Sequence, residues 1–311
     1  ESAREVDLLG EISTTLGCPA RVAVRVNPDF ELKGSGMKMG GGPKQFGIDA
    51  EEVPTLLRRL AVSGLSFEGF HLFAGSQNLN AESICDAQRQ SYALARRLAA
   101  DAPAPVRFLN LGGGFGVPYF PGEKRLDLLP IGENLAHLAA QARDDFPHAS
   151  LVIELGRFFV AEAGIYVARI IDRKVSRGQT YFVVDGGLNH HLSASGNFGQ
   201  VIRKNYPVAI GNRLDCAERI CATVVGPLCT PLDLLADRMT LADAQPGDLV
   251  VIFQSGAYGA GAGRNWICRS CRWRIAGAGI YRRKFRHRHT RGIGRKFHTA
   301  GRHKTFRRPH A

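Results

Sequence analysis

Long apolar runs are missing from this chain. No stretch reaches the ~18 consecutive apolar residues that a membrane-spanning helix needs, so that class is excluded. The opening, Glu1-Ser2-Ala3-Arg4-Glu5-Val6-Asp7, lacks the basic-then-apolar layout of a signal peptide. It starts with Glu rather than Met, and we expect a piece of a longer protein. Seven cysteines scattered over 311 residues are too few and odd in number for a disulfide scaffold, which points to reduced thiols and a cytoplasmic setting. Acidic residues are absent from one region only. Residues 260–311 hold 16 of the 41 Lys+Arg and none of the 28 Asp+Glu. That leaves 25 basic against 28 acidic residues in the body, so the net charge of +13 belongs to the tail.

What is present is an ordinary globular balance, 44% hydrophobic and 22% charged, enough for one or two domains. Residues 3–16, 51–63, 81–100 and 131–145 carry helical spacing, and 21–28, 65–73, 106–111 and 150–154 read as strands between them. Helices alternating with strands imply an α/β fold with parallel pairing; a Rossmann-like open sheet remains an alternative on periodicity alone. From about residue 161 the pattern turns β-rich, with strands expected at 163–172, 180–185, 219–226 and 248–254. Beyond Gly259 no apolar period persists, and we expect that basic tail to stay unfolded.

Two strand ends carry candidate chemistry. Gly112-Gly113-Gly114-Phe115-Gly116 follows a strand, and glycines there let backbone N–H groups approach a phosphate. Taken alone, such a cluster is as often a tight turn, and its spacing fails the dinucleotide fingerprint. The next strand ends in Glu154-Leu155-Gly156-Arg157, where a carboxylate can hold a protonated ring nitrogen and an arginine a phosphate. Alone, it is more often an ion pair.

Five motifs in order narrow the reading. They are Phe70-His71-Leu72-Phe73-Ala74-Gly75-Ser76-Gln77, Asn110-Leu111-Gly112-Gly113-Gly114-Phe115-Gly116, Ile153-Glu154-Leu155-Gly156-Arg157, Gly226-Pro227-Leu228-Cys229-Thr230-Pro231-Leu232-Asp233 and Gly256-Ala257-Tyr258-Gly259. Over residues 1–259 the chain resembles the pyridoxal-phosphate-dependent ornithine, diaminopimelate and arginine decarboxylases of the alanine-racemase-like fold. The wording Pro118-Tyr119-Phe120-Pro121-Gly122-Glu123 is most similar to the exosortase-associated branch. The resemblance implies that residues 1–160 are the C-terminal half of a TIM-type (β/α)8 barrel and 161–259 a β-sandwich domain. It implies pyridoxal 5'-phosphate as cofactor, with Glu154 on the ring nitrogen, Gly113, Gly114, Gly156 and Arg157 on the phosphate, and Ser76 and Tyr258 adding hydroxyls. Cys229 would donate a proton to the substrate carbon from the partner subunit of a homodimer. Arg157, Asp233 and Tyr258 would contact the amino-acid substrate. No metal is expected.

Several positions depart from that family. Phe73 stands where many relatives place a histidine stacked on the cofactor ring, with His71 two residues earlier on the same strand face. Thr230 replaces the acidic residue that pairs with a distal amine. Ser193, Ala194 and Asn197 fall where an Arg-Pro and a tyrosine are expected. These differences predict a substrate other than diaminopimelate, ornithine or lysine. None of Lys33, Lys38 or Lys44 lies in the context of the cofactor-anchoring lysine, so we expect a barrel remnant with unpaired outer strands, inactive alone, and a shifted reading frame near residue 259. The alternatives are a racemase on the same scaffold, or a polyanion- or nucleic-acid-binding protein acting through the basic tail. Cys268, Cys271, His298 and His303 leave room for a zinc site at unusual spacing.

Overall fold

A computed structural model describes residues 1–196 and 203–258, all within one compact unit, Glu1–Ile267. Asn197, the basic tail and its Cys/His group lie outside the described residues. In chain order the elements are α1 (Ala3–Leu16), β1 (Arg21–Asn27), β2 (Met37–Lys38), β3 (Ile48–Asp49), α2 (Val53–Ala61), β4 (Ser66–Leu72), β5 (Gly75–Ser76), α3 (Ala81–Leu98), β6 (Phe108–Asn110), α4 (Leu129–Asp145), β7 (Ser150–Val152) and α5 (Gly156–Val160). They continue with β8 (Tyr166–Ser176), β9 (Gln179–Val184), β10 (Val208–Ile210), β11 (Arg219–Val225), β12 (Leu234–Ala242) and β13 (Leu249–Ile252).

The first half is a five-stranded parallel sheet in the order β3-β1-β4-β6-β7. The four strands expected from sequence are all there. The added one, β3, is two residues long, too short to leave a periodic signal. The helices form for legible reasons. Ser2 and Glu5 make a reciprocal capping box on α1, and Asn80 caps α3 by accepting from the Ser83 amide. Their apolar stripes meet the sheet at Leu57, Phe70, Leu72, Ala95 and Leu109, all buried. Full burial of a ring such as Phe70 contributes about 2–3 kcal/mol.

The second half is one six-stranded sheet, β10-β13-β8-β9-β11-β12, folded over on itself at β8. The first residues of β8 pair with β13, up to Arg169↔Leu249, and the remainder pairs with β9 from Ile170↔Val184 onward. A register shift after Ile170 marks the bend. The two faces expected of a sandwich are thus two leaves of a single sheet, and Ile170, Phe182, Ala222, Leu235 and Val250 fill the space between them. Strands β10 and β12 were not anticipated. The segment of β12 is rich in Leu, Ala, Met and Arg, which favour helix; antiparallel pairing with β11 overrides that preference.

Candidate functional site

Strands β4, β6 and β7 run parallel, so their C-terminal ends share one edge, where barrel folds gather their chemistry. The loops that follow are tied together by backbone bonds. The Asn78 amide donates to the Gly114 carbonyl at 2.8 Å, the Gly116 amide to the Asn78 carbonyl at 2.8 Å, and the Glu154 amide to the Gly112 carbonyl at 2.8 Å. Gly113 is demanded by this packing: a Cβ there would sit 1.9 Å from the Glu154 carbonyl oxygen. Gly112 has φ +76° and would press a Cβ to 2.5 Å from the Leu72 oxygen. The glycines therefore bring the Glu154 backbone close, in addition to whatever ligand the loop receives.

Glu154 is held by one oxygen. Its Oε1 accepts from Asn110 Nδ2 at 2.8 Å, while Asn110 Oδ1 accepts from the Gly112 amide at 2.8 Å. His71 Nε2 lies 2.7 Å from the same Oε1, off the line of a well-formed ring N–H bond. Burial pushes the His71 imidazole below the ordinary histidine range; Arg25 acts in the same direction, and Glu154 and Glu1 oppose it. Phe73 is half-buried just beyond β4, and Ser76 sits in β5 opposite Met37. One turn after Glu154, Arg157 donates from Nη1 to the Tyr119 hydroxyl at 3.0 Å, and its guanidinium lies 4.7 Å over the Tyr258 ring. Its Nε is buried without a hydrogen-bond partner.

The loop 226–233 is a separate matter. Asp233 is 2% exposed. Its Oδ1 accepts from the Leu188 amide at 2.6 Å and its Oδ2 from the Leu228 amide at 2.8 Å. Both of its oxygens accept from backbone, which ties Asp233 to the loop that carries Cys229. Cys229 is exposed on that loop. Ser193 and Ala194 are buried beside His191. Sequence reasoning missed the roles of Asn110 and Tyr119. An asparagine two residues before three glycines and a tyrosine between two prolines were the available signals.

Residues 1–161 match the family model described as the pyridoxal binding domain of the pyridoxal-dependent decarboxylases. The chain belongs to that family. Over 266 residues it is 40% identical to an L-glutamyl-[BtrI acyl-carrier protein] decarboxylase of Niallia circulans, covering 83% of this chain and 61% of that one. It is 29% identical to the diaminopimelate decarboxylase of Aquifex aeolicus, covering 83% and 59%. A crystal structure of the Helicobacter pylori diaminopimelate decarboxylase complexed with L-lysine superposes with a TM-score of 0.69 at 26% identity, over 84% of this chain and 62% of that one. The chain thus spans about three fifths of the length of these relatives, and its fold is part of their α/β barrel followed by their β domain.

Pyridoxal phosphate fits the residues present at two ends. A carboxylate anchored through Oε1 leaves Oε2 for a protonated ring nitrogen, and a buried, unpartnered Arg157 Nε suits a phosphate oxygen. Gly156 adds no side chain, and a Cβ there would meet only open space. Among the described residues, none of the bonds in this group involves a lysine.

Proposed function

We propose that the protein built on this chain is a pyridoxal-phosphate-dependent carboxy-lyase acting on an amino acid, working as a homodimer in the cytoplasm. The observation that carries the reading is the pairing of a one-sidedly anchored Glu154 with an Arg157 whose buried Nε lacks a partner. Bound pyridoxal phosphate supplies a sink for the electron pair left when CO2 departs. The chain's own residues do the rest. Glu154 Oε2 accepts the ring N–H and keeps that proton in place. Arg157, steadied by Tyr119 and Tyr258, holds the phosphate with the amides of 113 and 114. Phe73 offers an apolar face to the ring. Exposed Cys229 holds the proton that replaces CO2 on the substrate carbon and delivers it across the dimer, on a loop fixed by Asp233.

The substrate is an amino acid without a distal amine. Thr230 offers no carboxylate to such an amine, and the Niallia relative acts on a glutamyl group carried by an acyl-carrier protein. An acidic or carrier-linked aminoacyl group suits these residues better than a diamino acid.

The test is saturable binding of pyridoxal phosphate, followed by borohydride reduction and mapping of any modified lysine by mass spectrometry. We expect saturable binding that weakens in Glu154→Gln, without one stoichiometrically labelled lysine in this chain. Binding unaffected by that substitution would sink the assignment of the site. CO2 release by a full-length homologue with the same site residues should favour glutamyl-carrier protein over lysine, ornithine and diaminopimelate; the reverse preference removes the substrate proposal.

A further inference from the structure

Two side chains approach Glu154 Oε1, and only one of them, His71, is ionisable. Asn110 Nδ2 is 2.8 Å away and His71 Nε2 is 2.7 Å away. A bare nitrogen lone pair that close to a carboxylate oxygen is repulsive, so Nε2 is the nitrogen that carries hydrogen. No hydrogen bond among the described residues reaches Oε2. We propose that His71 is a positioning residue for Glu154: with Asn110 it fixes Oε1, so that Oε2 alone faces a ring nitrogen, and it does so without bringing a second positive charge to the carboxylate. The inference rests on the reading of Glu154 as the ring-nitrogen partner.

Neutrality of His71 is what makes this arrangement useful. A cationic imidazole at 2.7 Å would compete with a protonated pyridine ring for the same carboxylate. A neutral one with its hydrogen on Nε2 turns the positive end of the N–H dipole toward Oε1 and leaves the negative charge intact. The charged groups that act on His71 are Glu154 and Glu1, which favour its protonation, and Arg25, which opposes it together with burial. Phe73 matters here as well, because at the position where relatives carry a second histidine it brings no titrating group.

The first experiment needs no cofactor. In the 15N-labelled chain, with the His71 signal identified by its loss in His71→Gln, we expect Nε2 to be the protonated nitrogen at neutral pH. Glu154→Gln should lower the midpoint of the His71 titration by about one unit. A midpoint indifferent to Glu154→Gln overturns the proposal, whether or not pyridoxal phosphate binds. The second experiment adds pyridoxal phosphate labelled with 15N in its ring. The ring nitrogen should keep its proton to a pH about one unit higher in wild type than in His71→Phe, with His71→Gln, whose amide can donate to Oε1, recovering most of the difference. Identical ring titrations in wild type and His71→Phe also overturn it. Absence of saturable binding in wild type counts against the functional reading instead, and the first comparison still decides on His71.

Discussion

Two polar clusters, one in the parallel half of this chain and one in the antiparallel half, use their hydrogen-bonding groups in opposite ways. In the antiparallel half, Asp233 and His191 are consumed by the fold. Asp233 spends both oxygens on backbone amides. His191 accepts from the Ala194 amide at 3.3 Å, and its Nε2 meets Ser255 Oγ at 2.7 Å. In the parallel half, the groups at the strand ends are half used: Glu154 through one oxygen, Arg157 with its Nε idle. A buried nitrogen without a partner, such as Arg157 Nε, costs stability that a bound anion recovers, while Glu154, 40% exposed, keeps Oε2 accessible. The contrast separates two carboxylates that look alike as motif residues: Asp233 has both oxygens on backbone amides, and Glu154 is anchored through one.

The sharpest break in that contrast is Asp233→Ala. Two buried amides lose a charged acceptor, and we expect a loss of about 4 kcal/mol, read as a fall in Tm of roughly 10 °C. Calorimetry showing an unchanged Tm would mean the carboxylate is dispensable to the loop.

Acid should loosen the same half next. Burial pushes His191 down to about 4, so the unfolded chain takes up a proton where the folded one does not. Stability from this group is complete above the unfolded value near 6.5 and drains away as pH falls toward 4, by about 3 kcal/mol. Denaturant midpoints between pH 7 and pH 4 measure it, and in His191→Phe the pH dependence should shrink by that amount.

Glu154→Gln tests the other half. Stability should stay within about 0.5 kcal/mol, while affinity for pyridoxal phosphate drops about 10- to 100-fold through loss of a charged hydrogen-bond acceptor. A large fall in Tm with unchanged affinity would place Glu154 among the architectural groups. Smallest is Tyr258→Leu, which removes the ring beneath Arg157. A cation–π contact of about 1 kcal/mol corresponds to roughly a fivefold weaker affinity, measurable by fluorescence titration.

Much of this was legible before the structure. The helix of residues 3–16 has the bounds read from its spacing, and β1, β4, β6 and β7 lie where β-branched or apolar runs end at glycine, proline or a charge. Glu154 and Arg157 were singled out because a carboxylate and an arginine at a strand end can hold a ring nitrogen and a phosphate, beside a glycine loop on the preceding strand end, and because their motif falls in the order of the family the chain resembles. What escaped was, besides the helix-favouring β12, of two kinds. β3 and β10 are two and three residues long, and so short a strand is defined by its neighbours alone. Asn110 and Tyr119 act through partners 44 and 38 residues away, a proximity that no local pattern encodes.

The sequence by itself determined four helices, eight strands and the passage from parallel to antiparallel pairing, which follow from local propensity and hydrophobic period, and it carried five ordered motifs that mark a family by resemblance. Only the tertiary structure decided that β8 bends one sheet into two leaves, that Gly113 is needed for backbone packing against Glu154, and that Asp233 faces inward while Glu154 keeps an oxygen open. Each of these depends on which atoms of distant segments come within hydrogen-bonding or contact distance, a property of the packed chain.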